Sequence, residues 1–299
     1  MSLKFERVAG PFSGPLSGVV WDGQAILFSD VAGMRLLRFD PVSGKTEETR
    51  KHTGRTGGLA IGPHGELYGC QEGSRRVIEF LPDGSAVVTA TKLNGKLHNF
   101  PADLTVERNG RIWFSDPHSE QLAIGPQLYP TLDHASVLRL ARGRTHQWFL
   151  RRMTYDTVAP RAVLLSADQR TLYVSEAGTR SSHQELRAYP IEADDELGQY
   201  VVLHTFGADH RGPHRGVEGM CLDSEGNIVA CAGWNKSGPG PLIYVFRPNG
   251  AVIETHALPD DLPMRCAFGH PELDVLYVTT AKGNLYRSQS LNRRGYANS

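Results

Sequence analysis

The stretch RGPHRGVEGMCLDSEGNIV (211–229) sets Glu218 directly before a glycine and a short apolar run, with a turn and a second apolar run behind it. Five other segments are built alike. Aligned on their turns, they set Ser17, Gly57, Ala102, Arg161 and Arg265 where Glu218 stands here. A carboxylate flanked by two guanidinium groups has a definite chemistry. Arginine grips a carboxylate or a developing oxyanion with a two-pronged fork. A glutamate beside arginine stays ionised, which suits a general base acting on a water or on a C–H or O–H bond. Proton shuttling would fall to histidine, which titrates near neutrality. His214, four residues before Glu218, is the histidine expected to reach it, with His98 and His134 as further candidates.

What positions these residues is a repeat, and repeats of this period define the architecture. The six segments are SGVVWDGQAILFSD (17–30), GGLAIGPHGELYGC (57–70), ADLTVERNGRIWFSD (102–116), RAVLLSADQRTLYVSE (161–176), EGMCLDSEGNIVACA (218–232) and RCAFGHPELDVLYVTT (265–280). Each reads as a short strand, a polar turn and a second strand. Most are followed by a third strand such as VIEFLPDG (77–84) or IYVFRPNG (243–250). No helical periodicity intervenes. The recurrence predicts an all-β chain: a six-bladed β-propeller of four-stranded blades, one domain over residues 1–299. FERVA (5–9) would supply the outermost strand of the last blade and close the ring. A β-sandwich would not repeat one cassette six times.

The bulk composition excludes some classes of function. Thirty-two basic residues balance 32 acidic ones, so nothing points to nucleic acid or a membrane surface. The longest apolar runs, such as AVLL (162–165), are too short to span a bilayer, and MSLKFERVAG does not read as a secretory signal. A soluble, cytoplasmic protein is expected. Cys70, Cys221, Cys231 and Cys266 form no CxxC pair and sit in or beside apolar runs, as small core residues do.

In a propeller the innermost strand of each blade lines a central channel, so the six aligned positions should converge on one mouth. His98, Asn99, His118, His134, His183, His210 and His214 lie on loops of the same face. Concave sites ringed by loops are where ligands bind. Ser17, His98, Asn99 and His134 are therefore expected to contact substrate, and Trp234 to offer either an apolar wall to a ring-shaped substrate or a packing contact. Ser17 lacks a GxSxG elbow and is no nucleophile. GWNKSGPGP (233–241) opens no helix and is no phosphate loop. The polar end RSQSLNRRGYANS (287–299) is expected to fray.

FPADLTVERNGRIWFSDP (100–117), APRAVLLSADQRTLYVSEA (159–177) and GVEGMCLDSEGNIVACAG (216–233) resemble segments of the regucalcin/gluconolactonase (senescence marker protein) family. Those proteins are six-bladed propellers that include lactonases, and the resemblance spans almost the whole chain. Diisopropyl fluorophosphatase shares the general plan. The resemblance implies that Asp103, the aspartate of the first segment, meets a substrate hydroxyl. It also implies one divalent cation, usually calcium, held by a Glu, two Asn and an Asp. At the matching positions this chain has Ser17, Ala102, Arg161 and Glu218. Calcium takes six to eight oxygens, and a guanidinium has no lone pair to give and repels the ion. The expectation is therefore that no metal and no other cofactor is used; were an ion bound, Glu218 is the ligand it would find.

The function read from these residues is a metal-independent, lactonase-like hydrolase. It acts on a small anionic or lactone-like molecule, with Glu218 as base and Arg161 and Arg265 as anchors. A lyase or isomerase abstracting a proton from a keto or hydroxy acid or a lactone uses the same set, as does, more distantly, a strictosidine-synthase-like condensation. A non-catalytic ligand binder or scaffold is the reading from another class, in which the Arg–Glu–Arg set is an ion network that plugs the channel.

Overall fold

In the computed structural model, which describes residues 3–125, 128–178, 184–288 and 293–297, each cassette opens a four-stranded antiparallel sheet. Blade one runs Leu16–Trp21, Ile26–Asp30, Arg35–Phe39 and Thr46–Arg50. Blade two runs Thr56–Ile61, Leu67–Gln71, Arg76–Phe80 and Ala86–Val88. Blade three comprises Asp103–Val106, Ile112–Asp116, Ser136–Arg142 and Trp148–Arg152; blade four, Pro160–Leu165, Thr171–Glu176, Gln184–Pro190 and Val201–Phe206. Blade five has Val217–Leu222, Ile228–Ala232, Leu242–Phe246 and Val252–Ala257. Blade six has three strands from the C-terminal end of the chain, Pro263–Gly269, Val275–Thr280 and Leu285–Ser288. Its fourth is Phe5–Ala9, with Phe5 opposite Ser288. The ring is closed by the segment the sequence offered for that purpose. Among the described residues there is no helix, and so none long and apolar enough to cross a membrane.

The core lies between the blades. Six apolar clusters occupy the six blade interfaces, for example Tyr173, Leu186 and Phe206 of blade four against Val217, Ile228 and Phe246 of blade five. A sheet buried on both faces needs unbroken apolar runs, which is why Ile228–Ala232 is buried throughout. Polar links reinforce the seams. The penultimate residue of each second strand is Ser29, Cys70, Ser115, Ser175, Cys231 or Thr279. The four hydroxyls each donate to a carbonyl at the start of the next blade's inner strand: Gly57 O, Arg161 O, Val217 O and Ser17 O. Two of the four free cysteines thus hold the positions the hydroxyls take elsewhere in the ring.

The inner strands crowd one another where they meet. Gly18, Gly58 and Gly219 follow the mouth positions of blades one, two and five, and a Cβ on them would come within 2.6, 2.8 and 2.4 Å of a backbone oxygen of the next strand. Gly219→Ala should therefore cost about 1–3 kcal/mol through overpacking, read as a lower urea midpoint with an unchanged slope. An unshifted midpoint would mean that the strands part without cost.

The C-terminal end departs from expectation over its described part. Arg293 pairs with the fully buried Asp223 and with Glu254, Gly295 N donates to Leu273 O, and Tyr296 packs on the cluster between blades four and five. Residues 293–297 are docked rather than frayed, because a buried carboxylate is costly without a cation beside it.

Candidate functional site at the channel mouth

Strand pairing is irregular where the inner strands begin. Ser17, Gly57, Arg161 and Glu218 each lie inside a register shift, between Leu16 and Val19, Thr56 and Leu59, Pro160 and Val163, and Val217 and Gly219. Such bulges re-aim side chains beside functional sites.

Glu218 keeps 19% of its side chain open, and its nearest cation is one that the sequence did not single out: Arg215, with Nη2 3.5 Å from Oε1. Arg215 is buried and donates to Pro263 O at 2.9 Å and Gly233 O at 3.3 Å, so it braces the start of blade six against blade five. Burial pushes the Glu218 carboxyl up, but Arg215, Arg161 and Arg265 together outweigh it and hold its pKa below the ordinary value. The carboxylate is the form that a base requires.

Arg161 and Arg265 differ in how far they are committed. Arg265 is buried. Its Nε donates to Asp103 Oδ1 at 3.1 Å, Nη1 to Met264 O and Nη2 to Ala102 O. Blades three and six face each other across the ring, so this ion pair spans the channel and plugs it. Burial opposes the charge on Arg265, but Asp103 and Glu218 hold its pKa above the ordinary value. Asp103 is spent as well: its Oδ2 accepts Val163 N at 3.1 Å, so neither oxygen is left to a substrate hydroxyl alone. The expected pair of free forks is thus one fork and one plug. Arg161 is only partly buried, and its Nε is shielded from solvent with no hydrogen-bond partner among the described residues.

One acid escaped sequence reasoning altogether. Gly57 gives the mouth no side chain, and the carboxylate of Glu72, from the turn after the second strand of blade two, fills that place. A Cβ on Gly57 would lie 2.3 Å from Glu72 Oε1. Burial pushes the Glu72 pKa up to about 7, against the pull of Arg265, Arg55 and Arg161. Two arginines around Glu218 alone would leave the mouth positive, and Asp103, paired with Arg265, offsets part of that charge.

The remaining candidates are placed as follows. Ser17 is buried, its carbonyl accepting Thr279 Oγ1 at 2.7 Å. His98 is fully buried: its ring stands edge-on to Phe114, Nε2 bonds Ala90 O at 3.0 Å, and burial lowers its pKa to about 4. This corrects the expectation that His98 contacts substrate and shuttles protons: the ring is enclosed in the packing against blade three and held neutral. Asn99 Nδ2 donates to His134 O at 3.0 Å and Asp116 O at 3.3 Å, while Oδ1 is buried without a partner among the described residues. The His134 ring turns to Ser136 Oγ at 2.8 Å. His214 lies against Gly238, with Nε2 3.7 Å from Asp209; the ion-pair partner of Glu218 is Arg215 instead. Trp234 Nε1 donates to Ser237 Oγ at 2.7 Å, and the Lys236 ammonium sits 5.1 Å from its ring centroid. His183 lies outside the described residues.

A groove of about 600 Å3 between the outer parts of blades two and three has a different character. Its Glu79 and Arg142 pair with each other, and Arg142 stacks on Trp148. At the mouth, by contrast, Glu218 is ionised and partly open, and Arg161 Nε has no partner among the described residues.

The profile of the SMP-30/Gluconolactonase/LRE-like region family matches residues 17–282, from the first inner strand into the last blade. The chain belongs to this family. Among its relatives, a gluconolactonase of Zymomonas mobilis is 25% identical over 84% of this chain and 72% of its own length. The pentonolactonase XacC of Haloferax volcanii is 24% identical over 89% and 81%. A gluconolactonase structure from Xanthomonas campestris superimposes with a TM-score of 0.79 at 25% identity, covering 97% of this chain and 90% of that one. The divalent ion implied by the family does not fit the residues present. Of the four matching positions only Glu218 offers a carboxylate, Arg161 brings a cation, and the neighbouring Asp103 is bonded to Arg265.

Proposed function

We propose that the protein hydrolyses a small lactone at the channel mouth without a metal ion. Glu218 takes a proton from a water, and the oxygen of that water bonds to the lactone carbonyl carbon. Arg161 holds the developing oxyanion, or a carboxylate of the substrate, and the ring C–O bond then breaks to give a hydroxy acid. The observation that carries this reading is an ionised, partly open Glu218 near Arg161, whose Nε has no hydrogen-bond partner among the described residues. A donor pointed at where negative charge develops works best in a site that excludes water. Relatives that act on gluconolactone and pentonolactone support a sugar-like lactone as the substrate class. The four free thiols suit the reducing cytoplasm.

The test is a panel of aldonolactones with and without EDTA, followed by continuous titration of the acid released. Turnover that EDTA leaves unchanged is the expected result, with Arg161→Ala lowering kcat/KM about 10²-fold. Strict dependence on added calcium would overturn metal independence, and no release from any lactone would overturn the hydrolase reading.

A further inference from the structure

We propose that Glu72 is the second catalytic carboxyl of the site, the acid that protonates the departing ring oxygen while Glu218 acts as base. This rests on the hydrolase reading and extends it to a residue outside the aligned mouth positions.

The placement argues for it. Glu72 belongs to blade two and Glu218 to blade five, and two blades lie between them on either side of the ring, so they come from opposite sides of the mouth. Arg265, whose side chain crosses the channel to Asp103, and Arg161 of blade four both act electrostatically on the two carboxyls. The Glu72 carboxylate reaches the mouth because Gly57 leaves its place empty. A lactone held by Arg161 between opposed carboxyls has a base on one side and an acid on the other.

The environments divide the roles. Arg215 is an ion-pair partner of Glu218, while no salt bridge reaches Glu72 among the described residues. The charged groups that act on Glu72 are Arg265, Arg55 and Arg161. Of these, Arg265 is tied to Asp103, and Arg55 Nη2 donates to Leu122 O at 2.5 Å. Burial therefore prevails at Glu72 and it retains its proton near neutrality, whereas Glu218 is ionised. Two carboxyls pushed apart in this way carry acid and base roles.

The step balances. Glu218 gains the proton of the attacking water, the new C–O bond forms, the ring C–O bond breaks, and Glu72 gives its proton to the oxygen that leaves as a hydroxyl. Glu218 then releases its proton to solvent and Glu72 takes one up.

The experiment compares two lactones. An aldonolactone has an alkoxide leaving group that needs a proton; an aryl lactone such as dihydrocoumarin has a phenolate that leaves without one. For the native enzyme, kcat/KM on the aldonolactone should fall as the pH rises through about 7, and the aryl lactone should lack that limb. Glu72→Gln should lose about 10²-fold or more on the aldonolactone and under threefold on the aryl lactone. Equal losses on both substrates, or no loss on either, would overturn the acid role while leaving lactone hydrolysis intact. Should the variant fail to fold, the native profiles decide: the same alkaline limb on both lactones overturns the proposal. A native enzyme inert to both refutes the hydrolase reading, and this proposal with it.

Discussion

Glu218→Gln lowers kcat for lactone opening by about 10²–10⁴-fold, the usual worth of a positioned general base, and changes KM little. Glutamine has nearly the same shape, but its amide cannot accept the proton of the attacking water. The substitution also removes a negative charge beside Arg215, Arg161 and Arg265, so the arginines bind an anionic product at least as well as before. Product inhibition by the hydroxy acid should therefore be retained or tightened in the variant. The pH profile separates base from bystander. With Glu218 held ionised by its three arginines, native activity is kept to a lower pH than an ordinary glutamate would allow and is lost as the group protonates. That acid limb should vanish in Glu218→Gln. A variant that turns over normally removes Glu218 from the mechanism.

Arg265→Met destabilises the fold by about 3–5 kcal/mol, the cost of leaving a buried charge without its partner. Asp103 would stay in the channel with only backbone N–H groups, those of Val163 and Leu104, and no paired cation to oppose its desolvation. The sign of the pH dependence follows. A carboxyl whose folded pKa lies above its unfolded one is best tolerated protonated, so the deficit of the variant grows as the pH rises through the carboxylate range. Urea unfolding at pH 5 and pH 8 measures this. The double variant Asp103→Asn/Arg265→Met should recover more than half of the loss, since it removes the stranded charge rather than half of the pair. A single variant as stable as the native protein would mean that the pair does not span the channel.

These two predictions divide the mouth into a reacting part and a holding part. Sequence spacing treats Arg161 and Arg265 as twins, because each begins the inner strand of its blade. The fold separates them: among the described residues one leaves a donor unused, and the other is drawn into the channel by an aspartate 162 positions away along the chain. Binding energy spent on Asp103 is not available to a substrate.

The ring itself was legible without coordinates. Six strand–turn–strand cassettes can bury their apolar runs only against one another, and FERVA at the opposite end of the chain supplied the missing edge. The mouth positions followed, since the cassette fixes which residue begins each inner strand, and so did the mismatch with a calcium site, which needs only side-chain chemistry. Direction and depth were decided by tertiary packing. His98 reads as a loop histidine until Phe114 and Ala90 O are seen to enclose it. Arg215 reads as a neighbour of Glu218 until its bonds to Gly233 and Pro263 make it a brace. Glu72 could not be found from the repeat at all, because the repeat marks Gly57, and a glycine announces only vacant space. What fills that space comes from a turn fifteen residues further on, brought there by strand pairing that spacing along the chain does not encode.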